Sequence, residues 1–389
     1  EPEPWAVAEE RKLYRECSSW DTNAPSDVRP LRIADEIPVI NLEPFLKGLP
    51  GGLEAVTSEL QAAAAEVGFY HIVGFESVVS AELIRSTFAA ADEFFALPQD
   101  EKMEIELGSK PATLMPRQTG YVPCGTRIMP VRTQGNLLES MILSNHASAV
   151  AAAASKALSA GDELPKPLRI VQRDGSGEMA APLLSPPLPW PPSLGPTWVD
   201  AIMEYVGAME LLCRKLLAAL AAAAGESQDY FKEPLLDPGP LWRLKLCSYP
   251  PELEAASQGS YGIAPHVDTS LVTIVAAMEA DSPGLTLYCE ALGGWVRAPD
   301  RPGSLLVNSG TVLQNITNDK WRAARHYVGN PSSTQTRKSL AFFLNAAPAF
   351  RMSVMPAFIT PTSSAKYEPT SWLEGFGRNR GGFFRPVEP

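Results

Sequence analysis

Past residue 240 the chain settles into short β-branched and aromatic runs that alternate between apolar and polar positions. They are Leu241 to Tyr249, Tyr261 to His266, Leu271 to Met278, Leu285 to Cys289, Trp295 to Ala298, Ser304 to Asn308, Trp321 to Tyr327 and Lys338 to Asn345. Turn signals such as Ser282-Pro-Gly284, Gly293-Gly294 and Pro299-Asp-Arg-Pro-Gly303 separate them. Short strands at this spacing predict an antiparallel sandwich or barrel, and a jelly roll is its natural closed form. No internal repeat interrupts the series.

Upstream the period changes. Gly52 to Val67 carries helical spacing and runs into Gly68-Phe-Tyr-His-Ile-Val-Gly74, which reads as a buried strand. Ile37-Pro-Val-Ile40 is a second, briefer strand candidate. Ser80 suits an N-cap for a helix through Ala96 that Pro98 terminates. Trp198 to Ala224 is apolar all round a long helical pattern and stops at Gly225, as expected of a scaffold helix packed on a sheet. The expected class is therefore mainly β with flanking helices.

Composition divides the chain. Residues 1–36 are polar and irregular, with a short helix expected around Glu9 to Glu16. An α/β region at 37–145 follows, then an Ala/Pro-rich stretch at 146–196 that ends in Leu183-Leu-Ser-Pro-Pro-Leu-Pro-Trp-Pro-Pro192. Its length and proline content suit an insertion or flap. The scaffold helix and β-rich core occupy 197–350, and 351–389 form a C-terminal segment.

With 389 residues, 45% of them hydrophobic, the chain has material for a sizeable core. A net charge of −11 argues against nucleic acid or an anionic membrane surface as partner. No apolar run has the length of a membrane span. The five cysteines are scattered and contain no C-x-x-C pair, which suits the cytoplasm or another reducing compartment. The chain opens on Glu-Pro-Glu-Pro without an initiator methionine, which leaves room for a removed targeting peptide.

Candidate chemistry gathers in the β-rich half. In His266-Val-Asp268 the two-residue period puts both polar side chains on one face of a strand. His326 lies in another β-rich run. Two histidines and one carboxylate make the facial triad of non-haem iron(II) oxygenases, which leaves coordination positions open for cosubstrate and dioxygen. Zinc accepts the same donors. In Arg337-Lys-Ser339 the same spacing places a guanidinium fork and a hydroxyl together, a pair suited to a carboxylate.

The wider pattern resembles the isopenicillin-N-synthase-like family of iron(II)/2-oxoglutarate-dependent dioxygenases. The likeness is carried by Pro265-His-Val-Asp-Thr-Ser-Leu-Val-Thr-Ile274, Gly284-Leu-Thr-Leu, Gly294-Trp-Val and Pro302-Gly-Ser-Leu-Leu-Val-Asn308. It continues through Leu313-Gln-Asn-Ile-Thr-Asn318, Arg325-His326 and Arg337-Lys-Ser-Leu-Ala-Phe-Phe343. Upstream, the segments at 37–42, 68–74, 98–102 and 120–121 resemble the family's N-terminal region. The likeness spans about residues 36–145 and 186–375.

That resemblance implies a double-stranded β-helix and iron(II) ligands at His266, Asp268 and His326. It implies that Arg337, Ser339 and Tyr249 contact 2-oxoglutarate, and that dioxygen and a small organic substrate complete the reaction. Hydroxylation is the default outcome, with desaturation and cyclisation as variants. The family often has Asn where this chain has Cys247, and Gly-Asp where it has Gly310-Thr311. The latter change is expected to alter local structure more than chemistry. Two rivals stay open: an iron(II) oxidase that dispenses with 2-oxoglutarate, and a non-catalytic metal-binding β-barrel.

For the substrate, Arg117, Tyr121, Arg127 and Arg132 precede the barrel and are placed at its mouth. Three arginines in an acidic protein point to an anionic substrate; solvated loop arginines are the plain alternative. His71 is expected in a strand core and His146 in a loop.

Overall fold

The computed structural model describes residues 37–107, 119–126, 135–159, 169–171, 178–180, 188, 190–235, 239–251, 261–278, 284–289, 294–329 and 335–375. The N-terminal 36 residues, most of the proline-rich run and Arg117, Arg127 and Arg132 lie outside them. Strands and helices alternate at first: β1 (Val39–Asn41), α1 (Glu43–Leu46), α2 (Gly52–Glu66), β2 (Phe69–Val73), α3 (Ala81–Phe95) and α4 (Gln99–Glu104). Then come β3 (Gly120–Val122), β4 (Glu139–Ser144), α5 (His146–Ser159), the ribbon β5 (Arg169–Val171) with β6 (Glu178–Ala180), and α6 (Pro196–Ala223). The β-rich half supplies β7 (Leu241–Tyr249), β8 (Ile263–His266), β9 (Val272–Ala277), β10 (Leu285–Cys289), β11 (Gly294–Arg297) and β12 (Leu305–Ser309). It closes with α7 (Thr311–Ile316), β13 (His326–Val328), β14 (Arg337–Asn345) and α8 (Trp372–Gly375).

All eight predicted core strands are present, although the run from Trp321 forms a ladder only from His326 onward. Two sheets organise them: an eight-stranded one in the order β1-β2-β12-β9-β14-β7-β4-β3, and a four-stranded one in the order β11-β10-β13-β8. These are the two layers of a jelly roll. Strand β14 is central, paired antiparallel along its whole length with β7 and on its other side with β9.

The period of two assigns the faces of the large sheet. Leu244, Leu246, Leu340, Phe342 and Leu344 are fully buried in one cluster with Ile202, Tyr205, Met209, Leu212, Leu216 and Leu220 of α6. At about 2 kcal/mol per buried side chain, this layer is a principal source of stability. Cys247 and Tyr249, on the alternate positions, instead pack with Val328 and Ile263 of the small sheet. The inner face is thus the one between the sheets. Ser80 caps α3 through its Oγ, which accepts from the Leu83 N–H at 3.1 Å. Gly225 ends α6 with φ +86°, a left-handed conformation favourable for glycine. Among the described residues no helix is long and apolar enough to cross a membrane.

Candidate active site

Pairing between β13 and β8 sets His326 directly opposite His266, with ring centroids 4.3 Å apart. Two residues beyond His266, Asp268 brings Oδ1 to 3.6 Å from His266 Nε2 and 3.8 Å from His326 Nε2. One donor atom from each of the three lies within 4.8 Å of the others. No other cluster of this kind occurs among the described residues.

The surroundings aim these donors. His266 Nδ1 lies 2.8 Å from the Ala264 carbonyl and His326 Nδ1 lies 3.0 Å from that of Ala324. A carbonyl only accepts, so each Nδ1 carries the proton and each Nε2 keeps a lone pair for a metal. Asp268 Oδ2 accepts from Thr273 Oγ1 at 2.8 Å and Asn308 Nδ2 at 2.9 Å, which turns Oδ1 towards the histidines. Burial, and then the neighbouring His326, push the His266 imidazole down to about 3 and keep it neutral. Burial pushes the Asp268 carboxyl up, but the two imidazoles and the hydrogen bonds from Asn308 and Thr273 outweigh it and hold it below its usual range. A neutral His266 beside an ionised Asp268 is the pair of protonation states a divalent metal requires.

The carboxylate-binding candidates stand on the inner face. Arg337 is directly across from Tyr249, and Ser339 across from Cys247. Arg337, Ser339 and Tyr249 are all buried, and the guanidinium lies 5.3 Å from the Tyr249 ring centre. Tyr249 and Ser339 are hydrogen-bonded, and burial above all pushes the phenol up, so it stays a donor. Arg337 Nη2 is 3.8 Å from Asp300 Oδ1, too long for a hydrogen bond, and its buried Nε has no hydrogen-bond partner. A buried guanidinium with an unused donor fits a bound carboxylate.

Tyr121 requires a correction. Its partner Met141 pairs with Leu246, so all three share the helix-covered face of the large sheet. The Tyr121 hydroxyl donates to Glu139 Oε2 at 2.8 Å, and its ring packs edge-on to Phe94. It is a core residue, on the face away from Arg337, and does not line the space between the sheets. His71 is buried in β2, with Nδ1 2.9 Å from Ser304 Oγ, as expected of a strand-core histidine. His146 is not in a loop: it opens α5, buried against Trp372.

Sequence reading gave no role to Thr273 and Asn308, although both sit inside the motifs quoted above. Their signal was strand parity, since Asn308 pairs with Thr273 across β12 and β9. The Gly310-Thr311 turn packs against backbone close to the metal candidates. The Thr311 N–H donates to the Asp268 carbonyl at 2.7 Å. A Cβ on Gly310 would run into the Ser270 backbone.

A model of the 2OG-Fe(II) oxygenase superfamily matches residues 243–346, which include all six metal and carboxylate candidates. A second, the non-haem dioxygenase in morphine synthesis N-terminal model, matches 37–159, and together they take in more than half of the chain. The chain belongs to the 2OG-Fe(II) oxygenase superfamily. Helix α5 falls inside the second match. Among relatives, the sexual differentiation process protein isp7 of Schizosaccharomyces pombe is 25% identical over 352 residues, 82% of this chain and 85% of that protein. The 2-oxoglutarate-dependent dioxygenase citB of Monascus ruber is 27% identical over 326 residues, covering 81% and 86% respectively. A full-length Neurospora crassa protein solved with alpha-KG superposes with a TM-score of 0.66 at 19% identity, over 87% of this chain and 94% of its own. This oxygenase is thus a jelly-roll enzyme by family and by fold.

Proposed function

We propose that this oxygenase binds iron(II) through His266, Asp268 and His326, and 2-oxoglutarate through Arg337, Ser339 and Tyr249, to oxidise a small organic substrate. The observation that carries the reading is the paired orientation of the donor set. Both Nδ1 atoms are occupied by carbonyls and Asp268 Oδ2 is occupied by Thr273 and Asn308, so three free donor atoms converge. Dioxygen is the oxidant: bound iron would activate it with two electrons from the keto acid and two from the substrate, giving succinate, carbon dioxide and, by default, a hydroxylated substrate. The chain's own residues bind and aim. Arg337 neutralises the distal carboxylate, Ser339 and Tyr249 donate to it, and burial keeps water from competing for those hydrogen bonds.

Residues 197–350 are read as the catalytic core, 37–145 as the α/β region that flanks it, and 146–196 as an insertion. Cys213, Cys247 and Cys289 are buried free thiols, which supports a reducing compartment. The test is succinate release from labelled 2-oxoglutarate by anaerobically iron-loaded protein, before and after air is admitted. Air-dependent succinate that disappears in His266→Ala and Arg337→Ala is the expected result. Tight iron binding with no succinate, across a panel of small acids, overturns the 2-oxoglutarate assignment.

A further inference from the structure

A carboxylate of the chain itself stands beside Arg337. Arg337 Nη2 lies 3.8 Å from Oδ1 of Asp300, in the turn between β11 and β12, and the two side chains are 4% and 22% exposed. The turn is tied down on both sides. Before it, the Ala298 N–H donates to the Leu285 carbonyl at 2.8 Å. After it, the Ser304 N–H and Oγ both donate to the Arg301 carbonyl, at 3.2 and 2.8 Å. That Oγ also lies 2.9 Å from His71 Nδ1 in β2. Pro299 and Pro302 stiffen the backbone between these anchors. Asp300 is thus held at Arg337 by its own turn and keeps that place when a second carboxylate arrives.

We propose that Asp300 is a fixed counter-anion of Arg337 that holds down the affinity for 2-oxoglutarate and tempers the preference of the site for keto acids with an anionic far end. The inference rests on the function proposed above. A buried guanidinium needs a compensating negative charge, and Asp300 supplies one. Arg337 Nε keeps a donor without a hydrogen-bond partner, so the distal carboxylate of the cosubstrate joins Asp300 on the same cation. Two effects of Asp300 then oppose each other. It steadies the guanidinium, which helps binding, and it repels the incoming anion, which hinders it. At 3.8 Å the contact is too long for a hydrogen bond and orients the guanidinium weakly. Charge acts over longer distances, and partial exposure reduces that repulsion without cancelling it. Repulsion therefore wins. The penalty falls on the distal carboxylate alone, because a keto acid with a neutral tail brings no second negative charge to Arg337.

The experiment uses the full chain loaded with manganese(II), without turnover, and reads binding by isothermal titration calorimetry. The probes are 2-oxoglutarate and 2-oxopentanoate, which has the same carbon chain but no distal carboxylate. Asp300→Asn keeps the size of the side chain and removes its charge; it is expected to bind 2-oxoglutarate about fivefold or more tighter. Affinity for 2-oxopentanoate, measured up to millimolar concentration, is expected to stay as in wild type. Asp300→Glu, which keeps the charge, is expected to show no gain. Unchanged or weaker binding of 2-oxoglutarate by Asp300→Asn overturns the proposal, because Asp300 then serves to orient Arg337. An equal gain for both keto acids, or a gain in Asp300→Glu, assigns the effect to the shape of the turn and also overturns it. Wild type that takes up manganese but not 2-oxoglutarate fails at the earlier step, so it removes the proposed function and this inference with it.

Discussion

The two faces of one sheet divide the work of this protein. On strands β7, β9 and β14 the positions facing α6 include Leu244, Leu246, Val272, Ile274, Leu340, Phe342 and Leu344, fully buried against the apolar side of a helix whose other side carries Asp200, Glu204 and Lys215. Residues one step away on the same strands are Arg337, Ser339, Tyr249, Lys245 and Thr273. Nothing in backbone geometry separates the two sets except the alternation of side chains. The apolar face therefore holds the strands in register, and the register places the polar face. Stability and chemistry are one residue apart, and substitutions on the two faces should fail in different ways.

The largest expected effect is on chemistry alone. His266→Ala removes one of three metal donors and should abolish air-dependent succinate formation, while the thermal midpoint of the metal-free protein changes little. Calorimetry and the succinate assay on the same preparation check this; a cooperative fold lost along with activity would contradict the division. Leu340→Ala is the converse. It opens a cavity against α6 and should cost about 3 kcal/mol of unfolding free energy, read from urea denaturation. Turnover per folded, iron-loaded molecule should stay near wild type. A specific loss of activity there would mean that the faces are coupled.

Much of this division was legible in the chain itself. The eight strands showed as apolar runs between turn signals, and the spacing within His266-Val-Asp268 and Arg337-Lys-Ser339 already required each pair to share a face. Pairing between distant segments was not legible. Position before the barrel directs Tyr121 towards the substrate, but its face depends on β3 joining β4 through Met141 and on β4 joining β7 through Leu246. No local pattern encodes that register. For the same reason Asn308 stayed without a role, since its hydrogen bond to Asp268 crosses 40 residues of sequence. His146 opens α5 without a Pro, Gly or charged first turn to mark the start of that helix in the sequence.

Sharper tests act within the inner face. Arg337→Leu removes the charge and fork but keeps an apolar stem, and should weaken 2-oxoglutarate binding by about a hundredfold, near 3 kcal/mol. Metal affinity should not change, because Arg337 touches none of the three ligands. Asn308→Ala should do the reverse. Loss of one hydrogen bond to Asp268 Oδ2 frees the carboxylate to rotate and should lower metal affinity by about 10–100-fold, with Thr273 retaining part of the orientation. Competition against a metal indicator measures it; equal affinity would mean that Thr273 alone orients Asp268.

The smallest effect concerns a histidine that shares the inner face by register but has no part in the metal set. His71 pairs with Leu306 in β12 and is 3% exposed. Burial, and then the nearby Arg301, push its imidazole down to about 4. An unfolded chain returns it to the ordinary value near 6.5, so below that pH the unfolded state binds a proton that the folded state refuses. The stability contribution is complete above pH 6.5 and drains away as the pH falls towards 4, by about 2 kcal/mol at pH 5. His71→Asn removes the titration and should flatten the acid limb of the stability curve of the metal-free protein by about one proton. His146, buried and pushed down in the same direction, adds its own slope in both proteins and cancels in the difference. If the two curves keep the same slope between pH 6.5 and 4, the His71 ring is taking up its proton in the folded state at Nε2, because Ser304 Oγ donates to the Arg301 carbonyl and so already accepts from Nδ1.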